Sequence, residues 1–229
     1  MAFENRAEAG RLLALRLDRY RGQRPLVLAI PRGAVLMGKI VAEALDGDLD
    51  VVLVHKLRAP YNPELAIGSI DETGSFYLDP DTRDLWDEAY LETEKRAQLD
   101  TLRRQRRLYE PAGRPIEAAG RVVIVLDDGI ATGSTMIAAL RAVRARRPAK
   151  LIAATGVASP EALRFVGKEA DEIVCLETPE FLYAIGYHFR DFSQVSDEDV
   201  VEALREARQL SAETAGRSRP TTSGGPRLM

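Results

Sequence analysis

Five short apolar runs set the strongest limit on what this chain can fold into. PLVLAI (25–30), DVVLVHK (50–56), RVVIVLD (121–127), KLIAATGV (150–157) and DEIVCLE (171–177) are rich in β-branched residues and hardly alternate with polar ones. Strands of that kind are covered on both faces, as in a parallel sheet. Between them, residues 34–46, 133–146 and 160–169 carry apolar residues at helical spacing, and residues 7–20 form a further amphipathic pattern. The alternation predicts right-handed βαβ units and an α/β fold with a doubly wound central parallel sheet.

Residues 57–120 interrupt that rhythm. The stretch 58–80, with Pro60, Pro63, Gly68 and Gly74, reads as a loop holding a short hairpin across ETG (72–74). A long helix is expected over 82–109, the body of a helical insertion at about 82–110. Leu91, Leu102 and Tyr109 fall on one stripe of it at 100° per residue. The RRQRR run (103–107) reads as a solvated face near the negative end of the helix dipole. The aromatic-rich residues 177–193 read as a small C-terminal hood, followed by a last helix over 197–210 with Ser196 as N-cap. The Ser/Thr/Gly/Pro-rich residues 211–229 have the composition of a disordered tail, so the expected unit is 1–210.

Composition removes several functional classes. With 32 Lys+Arg against 35 Asp+Glu the net charge is −3, which argues against nucleic acid as a partner. A lone cysteine, Cys175, forms no intrachain disulfide and, without a Cys/His cluster, no structural zinc site. No apolar run approaches the roughly 20 residues that span a bilayer, and the early acids of the N-terminus leave no signal-peptide core, so no membrane partner and a cytoplasmic location are expected.

Chemistry concentrates in VVIVLDDGIATGSTM (122–136): an apolar strand, two acids, a small-residue loop and hydroxyls where a helix begins. Ligands of open α/β sheets collect above the carboxyl ends of the strands. There the amides of Ile130 to Thr135 can converge on one phosphate at the positive end of a helix dipole. Gly129 and Gly133 permit close approach or a positive φ, and Thr132, Ser134 and Thr135 add hydroxyl donors. Asp127 and Asp128 do not favour a bare phosphate; they suit a sugar diol or a nearby divalent cation. No lysine lies between Lys95 and Lys150, so the string is not a GxxxxGK[ST] phosphate loop, and GxGxxG is absent from the turn.

This string resembles the phosphoribosyl-diphosphate (PRPP) signature of the type I phosphoribosyltransferases. IPRGA (30–34), after the first strand, is similar to that family's diphosphate loop, with Pro31, Arg32 and Gly33. In the family this loop often holds a strained peptide that frees an amide for the ligand, and Gly33 suits such a bond. Lys56, expected at the tip of the second strand, matches the place of a basic residue that reaches the diphosphate, with Arg58 nearby as a further candidate. RAPYNPELAIG (58–68) stands where the family has its mobile catalytic loop. The combination KLRAPYNPELAIG resembles a bacterial branch of predicted phosphoribosyltransferases, and the resemblance runs over residues 3–208.

The resemblance implies the type I fold and transfer of the 5-phosphoribosyl group from PRPP to a nitrogenous acceptor, with release of diphosphate. It implies Mg²⁺ carried mainly by PRPP near Asp127 and Asp128, which would hold the ribose hydroxyls. Gly129, Ile130, Ala131, Thr132, Gly133, Ser134 and Thr135 would cradle the 5′-phosphate, while Arg32 and Lys56 would meet the diphosphate. Glu64 in the expected mobile loop is a candidate general acid or base, the bland alternative being an exposed loop acid. The acceptor would lie under residues 177–193, where Phe181, Tyr183, Tyr187 and Phe189 either stack on a flat ring or close the core. The 6-oxopurine branch has an Asp where this chain has Ala131, which argues against hypoxanthine or guanine. Family members often dimerise, and the stripe on 82–109 either meets a second copy or packs on its own domain. The rival reading is a PRPP- or nucleotide-sensing protein of the same fold without turnover, against which the retained Arg32 and Lys56 count.

Overall fold

A computed structural model of the chain describes residues 2–217. In chain order its strands are β1 (Leu26–Ala29), β2 (Asp48–Val51), β3 (Val54–Ala59), β4 (Asn62–Asp71), β5 (Phe76–Leu78), β6 (Val122–Ile130), β7 (Lys150–Ala158) and β8 (Glu172–Glu177). The α-helices are α1 (Arg6–Arg16), α2 (Ala34–Ala44), α3 (Glu88–Tyr109), α4 (Ser134–Ala145), α5 (Pro160–Val166) and α6 (Asp197–Arg217). Five strands form a parallel sheet in the order β2-β1-β6-β7-β8, and the other three form an antiparallel sheet, β3-β4-β5.

The apolar runs explain the parallel sheet. Leu26, Val27, Val123, Ile124, Leu151 and Ile152 have no exposed surface, because helices cover both faces of the sheet. One core gathers α1, α2, α6 and the apolar stripe of α3, and a second gathers α4 and α5. Each fully buried Val, Leu or Ile side chain contributes about 1.5–3 kcal/mol. The stripe residues Leu91, Leu102 and Tyr109 are all buried within this chain.

The strand order fixes where a ligand fits. After β2 has joined one side of β1, the later strands join the other, so the order reverses between β1 and β6. Crevices above the carboxyl ends of strands form at such switch points. Ala29 is level with Leu126, and the Ile30 amide donates to the Leu126 carbonyl at 2.9 Å. Pro31–Gly33 therefore leave the sheet beside the end of β6, Asp127–Ile130, and the loop that follows it.

Four boundaries differ from the sequence expectation. The run 50–56 is split: β2 ends at Val51, and residues 54–59 start the antiparallel sheet. Within β3, Leu57 and Ala59 are buried while Lys56 and Arg58 are exposed, the period-two pattern of a half-covered antiparallel strand. Residues 58–68 are then no loop but the end of β3 and most of β4, turning at Pro60–Tyr61, where Tyr61 has a positive φ of 64°. The expected hairpin at 72–74 is present, its turn held by Asp71 Oδ1, which accepts from the Thr73 and Ser75 amides, with Gly74 at φ 89°. The long helix starts at Glu88 rather than 82, because the Asp87 side chain caps the Tyr90 amide while Pro80–Leu85 form a separate 3₁₀ turn. Finally α6 runs to Arg217, so 211–217 extend the helix; Ala212, Glu213 and Ala215 are helix formers. The remainder of the expected tail, 218–229, lies outside the described residues.

Candidate functional site

The phosphate-type cradle is built by the crossing from β6 to α4. β6 continues to Ile130, paired with Ala158 of β7, whereas β1 stops at Ala29, so Asp127 to Ile130 stand clear of β1 at the open end of the sheet. Gly133 sits at the helix N-cap with φ 85°, a left-handed conformation that favours glycine. Gly133 brings no side chain to cap the first turn of α4, which leaves its first amides and the positive end of the dipole available to an anion. Thr132 Oγ1 and Ser134 Oγ share a hydrogen bond at 3.1 Å, and Ser159 Oγ pins the loop by donating to the Ala131 carbonyl at 2.9 Å. Thr132 and Thr135 are exposed.

The two acids occupy different surroundings. Asp127 accepts the Asp128 amide on Oδ1 at 2.9 Å. Burial raises its carboxyl well above the usual range, and the charge of Asp128 pushes the same way; the amide bond opposes both. Asp128 Oδ2 instead accepts from Arg6 Nε at 2.9 Å, with 11% and 13% of the two side chains exposed. Sequence reasoning missed Arg6, which lies 122 residues away at the first position of α1. Its Nη1 donates to the Ser193 carbonyl at 2.7 Å, and its guanidinium lies 3.8 Å from the centre of the Phe192 ring. No local pattern announces such a role, because an arginine after an Asn N-cap is ordinary.

The loop after β1 reaches the same place. The Pro31–Arg32 peptide is cis, one residue ahead of the position the sequence favoured. Gly33 lies against Asp128 and Arg6: a β-carbon on it would stand 2.2 Å from Asp128 Oδ2 and 2.8 Å from Arg6 Nη2. Arg32 is half exposed, its Nη1 3.6 Å from Asp197 Oδ2. Asp197 also accepts from the Tyr109 hydroxyl at 2.8 Å. Burial, with the Asp197 carboxylate adding to it, pushes the Tyr109 phenol up to about 12. Asp197 and Tyr109 join the site region through folding alone, from the last helix and the insertion.

Other expected residues stand further out. Lys56 is not at a parallel strand tip; it is exposed within β3, opposite Ser69. Among the described residues no hydrogen bond or ion pair ties it to residues 30–34 or 127–135. Arg58 is held through its backbone, its amide donating to Glu94 Oε1 at 3.0 Å and its carbonyl accepting from the Tyr90 hydroxyl at 3.0 Å. Glu64 falls within β4 rather than in a loop.

The segment after β8 does close over the strand tip. Ile185 packs on Gly129, whose missing side chain leaves the room: a β-carbon there would lie 2.4 Å from Ile185 Cγ2. Phe181, Tyr183 and Tyr187 remain 68%, 86% and 78% exposed, free of the core. Phe189 takes the second of its two alternatives and closes the core. It is buried between Phe3 and Phe192, with ring centres 5.2 and 5.0 Å away, because Phe3 bridges to residue 189 as a parallel β-pair. Among the described residues no three His, Cys, Asp or Glu side chains gather to hold a metal ion, and no helix is long and apolar enough to cross a membrane.

Known proteins resemble this chain in sequence and in overall structure. The phosphoribosyl transferase domain matches residues 3–190. Two Mycobacterium tuberculosis proteins, "Putative phosphoribosyl transferase MT0597" (strain CDC 1551 / Oshkosh) and "Putative phosphoribosyl transferase Rv0571c" (strain H37Rv), are each 39% identical over 214 residues, covering 92% of this chain and 48% of theirs. The chain thus spans about half the length of these curated relatives. The crystal structure of TT1426 from Thermus thermophilus has a TM-score of 0.84 at 42% identity, covering 90% of this chain and 99% of that one.

Proposed function

The chain belongs to the phosphoribosyl transferase family, and from that premise we propose that it moves the 5-phosphoribosyl group of PRPP to a flat nitrogenous acceptor with release of diphosphate. The observation that carries this reading is the convergence of two loops at the β1–β6 switch point, where Gly33 touches the Asp128 carboxylate beside the amide cradle of 129–135.

Each group then has a task. The amides and hydroxyls of residues 129–135 bind the 5′-phosphate. Asp127 and Asp128 accept hydrogen bonds from the ribose hydroxyls, and their negative charge favours the positive charge that develops on the sugar ring as its bond to diphosphate breaks. Burial and the Asp128 charge raise the Asp127 carboxyl in the ligand-free protein, and hydrogen bonds donated by the ribose hydroxyls favour its charged form. Arg32 turns from Asp197 to the departing diphosphate, with Lys56 as the second cation. Phe181, Tyr183 and Tyr187 offer ring faces to the acceptor, and Glu64 is the candidate to move its proton.

Two adjacent carboxylates without a third ligand suit a hard cation that takes most of its oxygens from substrate phosphates and water. Mg²⁺ so held would be brought by PRPP and would neutralise charge on the diphosphate. The cytoplasm is the location proposed for this activity.

Calorimetric titration with PRPP and Mg²⁺ tests the donor site, and a panel of bases and amines assayed for diphosphate release tests turnover. Binding lost in Asp127→Asn plus Asp128→Asn, together with release for at least one acceptor, is the expected result. Absence of PRPP binding by the wild type would sink the reading; binding with no release for any acceptor would mark a sensor instead.

A further inference from the structure

We infer that Arg6 is a positioning residue of the donor site, acting through Asp128, and that the N-terminal segment is a structural part of that site. The inference rests on the proposed PRPP reading.

Arg6 makes three contacts, one to the strand-tip acid and two to neighbouring residues of the 189–193 segment. Nε donates to Asp128 Oδ2 at 2.9 Å, Nη1 donates to the Ser193 carbonyl at 2.7 Å, and the guanidinium plane covers the Phe192 ring at 3.8 Å. Its Nη2 and Nε lie 2.8 and 2.9 Å from where a Gly33 β-carbon would be. The guanidinium is therefore wedged between the strand-tip acid, the diphosphate-type loop and the 189–193 segment, with little freedom left. A planar fork of fixed donors holds an acceptor in one orientation, which a lysine ammonium does not.

The segment that carries it is fastened too. The Phe3 amide donates to the His188 carbonyl at 2.8 Å, and the Arg190 and Asp191 amides donate to the Phe3 and Glu4 carbonyls at 2.8 and 2.9 Å. The Asn5 side chain caps α1 by accepting the Glu8 amide at 3.0 Å. Arg6 thus stands on a rigid helix start tied to residues 188–191. By holding Oδ2 the guanidinium restricts rotation of the Asp128 carboxylate and balances its charge. A sugar diol meets a carboxylate already aimed, so less orientational freedom is lost on binding.

The test compares wild type, Arg6→Gln, Arg6→Lys, Asp128→Asn and the Arg6→Gln/Asp128→Asn double variant by calorimetry with Mg²⁺–PRPP and, separately, with inorganic phosphate. Inorganic phosphate probes only the amide cradle of 129–135. Arg6→Gln is expected to weaken PRPP roughly tenfold to a hundredfold, the range for one charge-assisted hydrogen bond, and to leave phosphate affinity unchanged. Arg6→Lys should recover part of the loss, and the double variant should bind PRPP no more weakly than Asp128→Asn alone. Equal losses for PRPP and phosphate in Arg6→Gln would show a merely structural arginine and overturn the inference, as would unchanged PRPP affinity or additive losses in the double variant. No PRPP binding by the wild type would instead remove the reading on which the inference stands.

Discussion

Gly33 and Asp128, 95 residues apart in the chain, touch so closely that a single methyl group on Gly33 would lie 2.2 Å from Asp128 Oδ2. Gly33 has a helical φ of −55°, so space and not backbone conformation demands the glycine. The loop after β1 and the acid at the tip of β6 form one surface.

Gly33→Ala is accordingly expected to force either the Arg6–Asp128 pair or the 31–33 loop out of place. Overpacking of this kind costs about 1–3 kcal/mol of stability. Calorimetry should show PRPP affinity reduced by about tenfold or more, a change of roughly 1.4 kcal/mol. Unaltered affinity would mean that the two loops do not share a ligand.

Asp127 should make the ligand-free protein less stable as pH rises. Burial and the neighbouring Asp128 raise its folded-state carboxyl above the unfolded value. Its favourable contribution is complete below the unfolded value and is lost as pH climbs through the raised folded one. Asp127→Asn removes that loss, so its melting temperature should exceed the wild type's by on the order of 2–4 °C at pH 7–8. The advantage should shrink toward pH 4, while PRPP binding falls. Thermal melts across pH check this, and a variant less stable than wild type at pH 8 would refute it.

Arg106 joins the two sheets through a buried cluster. It pairs with Glu72, which follows β4, and its Nη1 lies 3.4 Å from Asp50 Oδ1 on β2, with Asp50 only 2% exposed. Burial disfavours the guanidinium charge, yet the two carboxylates outweigh it and raise its pKa. Arg106→Leu leaves Asp50 with Arg208 at 3.7 Å and Glu72 with Arg146 at 3.9 Å as their remaining cations, and breaking a buried pair in this way costs about 3–5 kcal/mol. Denaturant unfolding should show that loss, partly recovered when Glu72 is also made Leu. A loss below about 1 kcal/mol, the scale of a surface pair, would contradict the assignment.

Legibility in the sequence followed the range of the interaction. The β6–α4 crossing was readable because strand, acids, glycines and helix start are consecutive, and their spacing alone gives the cradle. The parallel sheet was readable because Val27, Ile124 and Ile152 sit in runs without polar alternation. The boundary inside 50–56 was not, since DVVLVHK presents one apolar run although Val51 ends one strand and Val54 begins another. Lys56 consequently stands in the antiparallel sheet. Arg6, Tyr109, Ile185 and Asp197 gave no local signal at all, since each meets the site from a distant element.

The sequence by itself therefore determined the fold class and the position of the strand-tip motif, which depend on periodicity and contiguous residues, and its motifs carried the resemblance to the family. Only the tertiary structure decided that Asp128 has an arginine partner while, among the described residues, Asp127 has none, that Gly33 closes on that pair, and that Phe189 belongs to the core while Phe181, Tyr183 and Tyr187 stay exposed. The reason is physical: burial, charge pairing and close packing are properties of groups brought together from distant parts of the chain, 95 residues apart for Gly33 and Asp128 and 122 for Arg6 and Asp128, and no short window of sequence contains both partners.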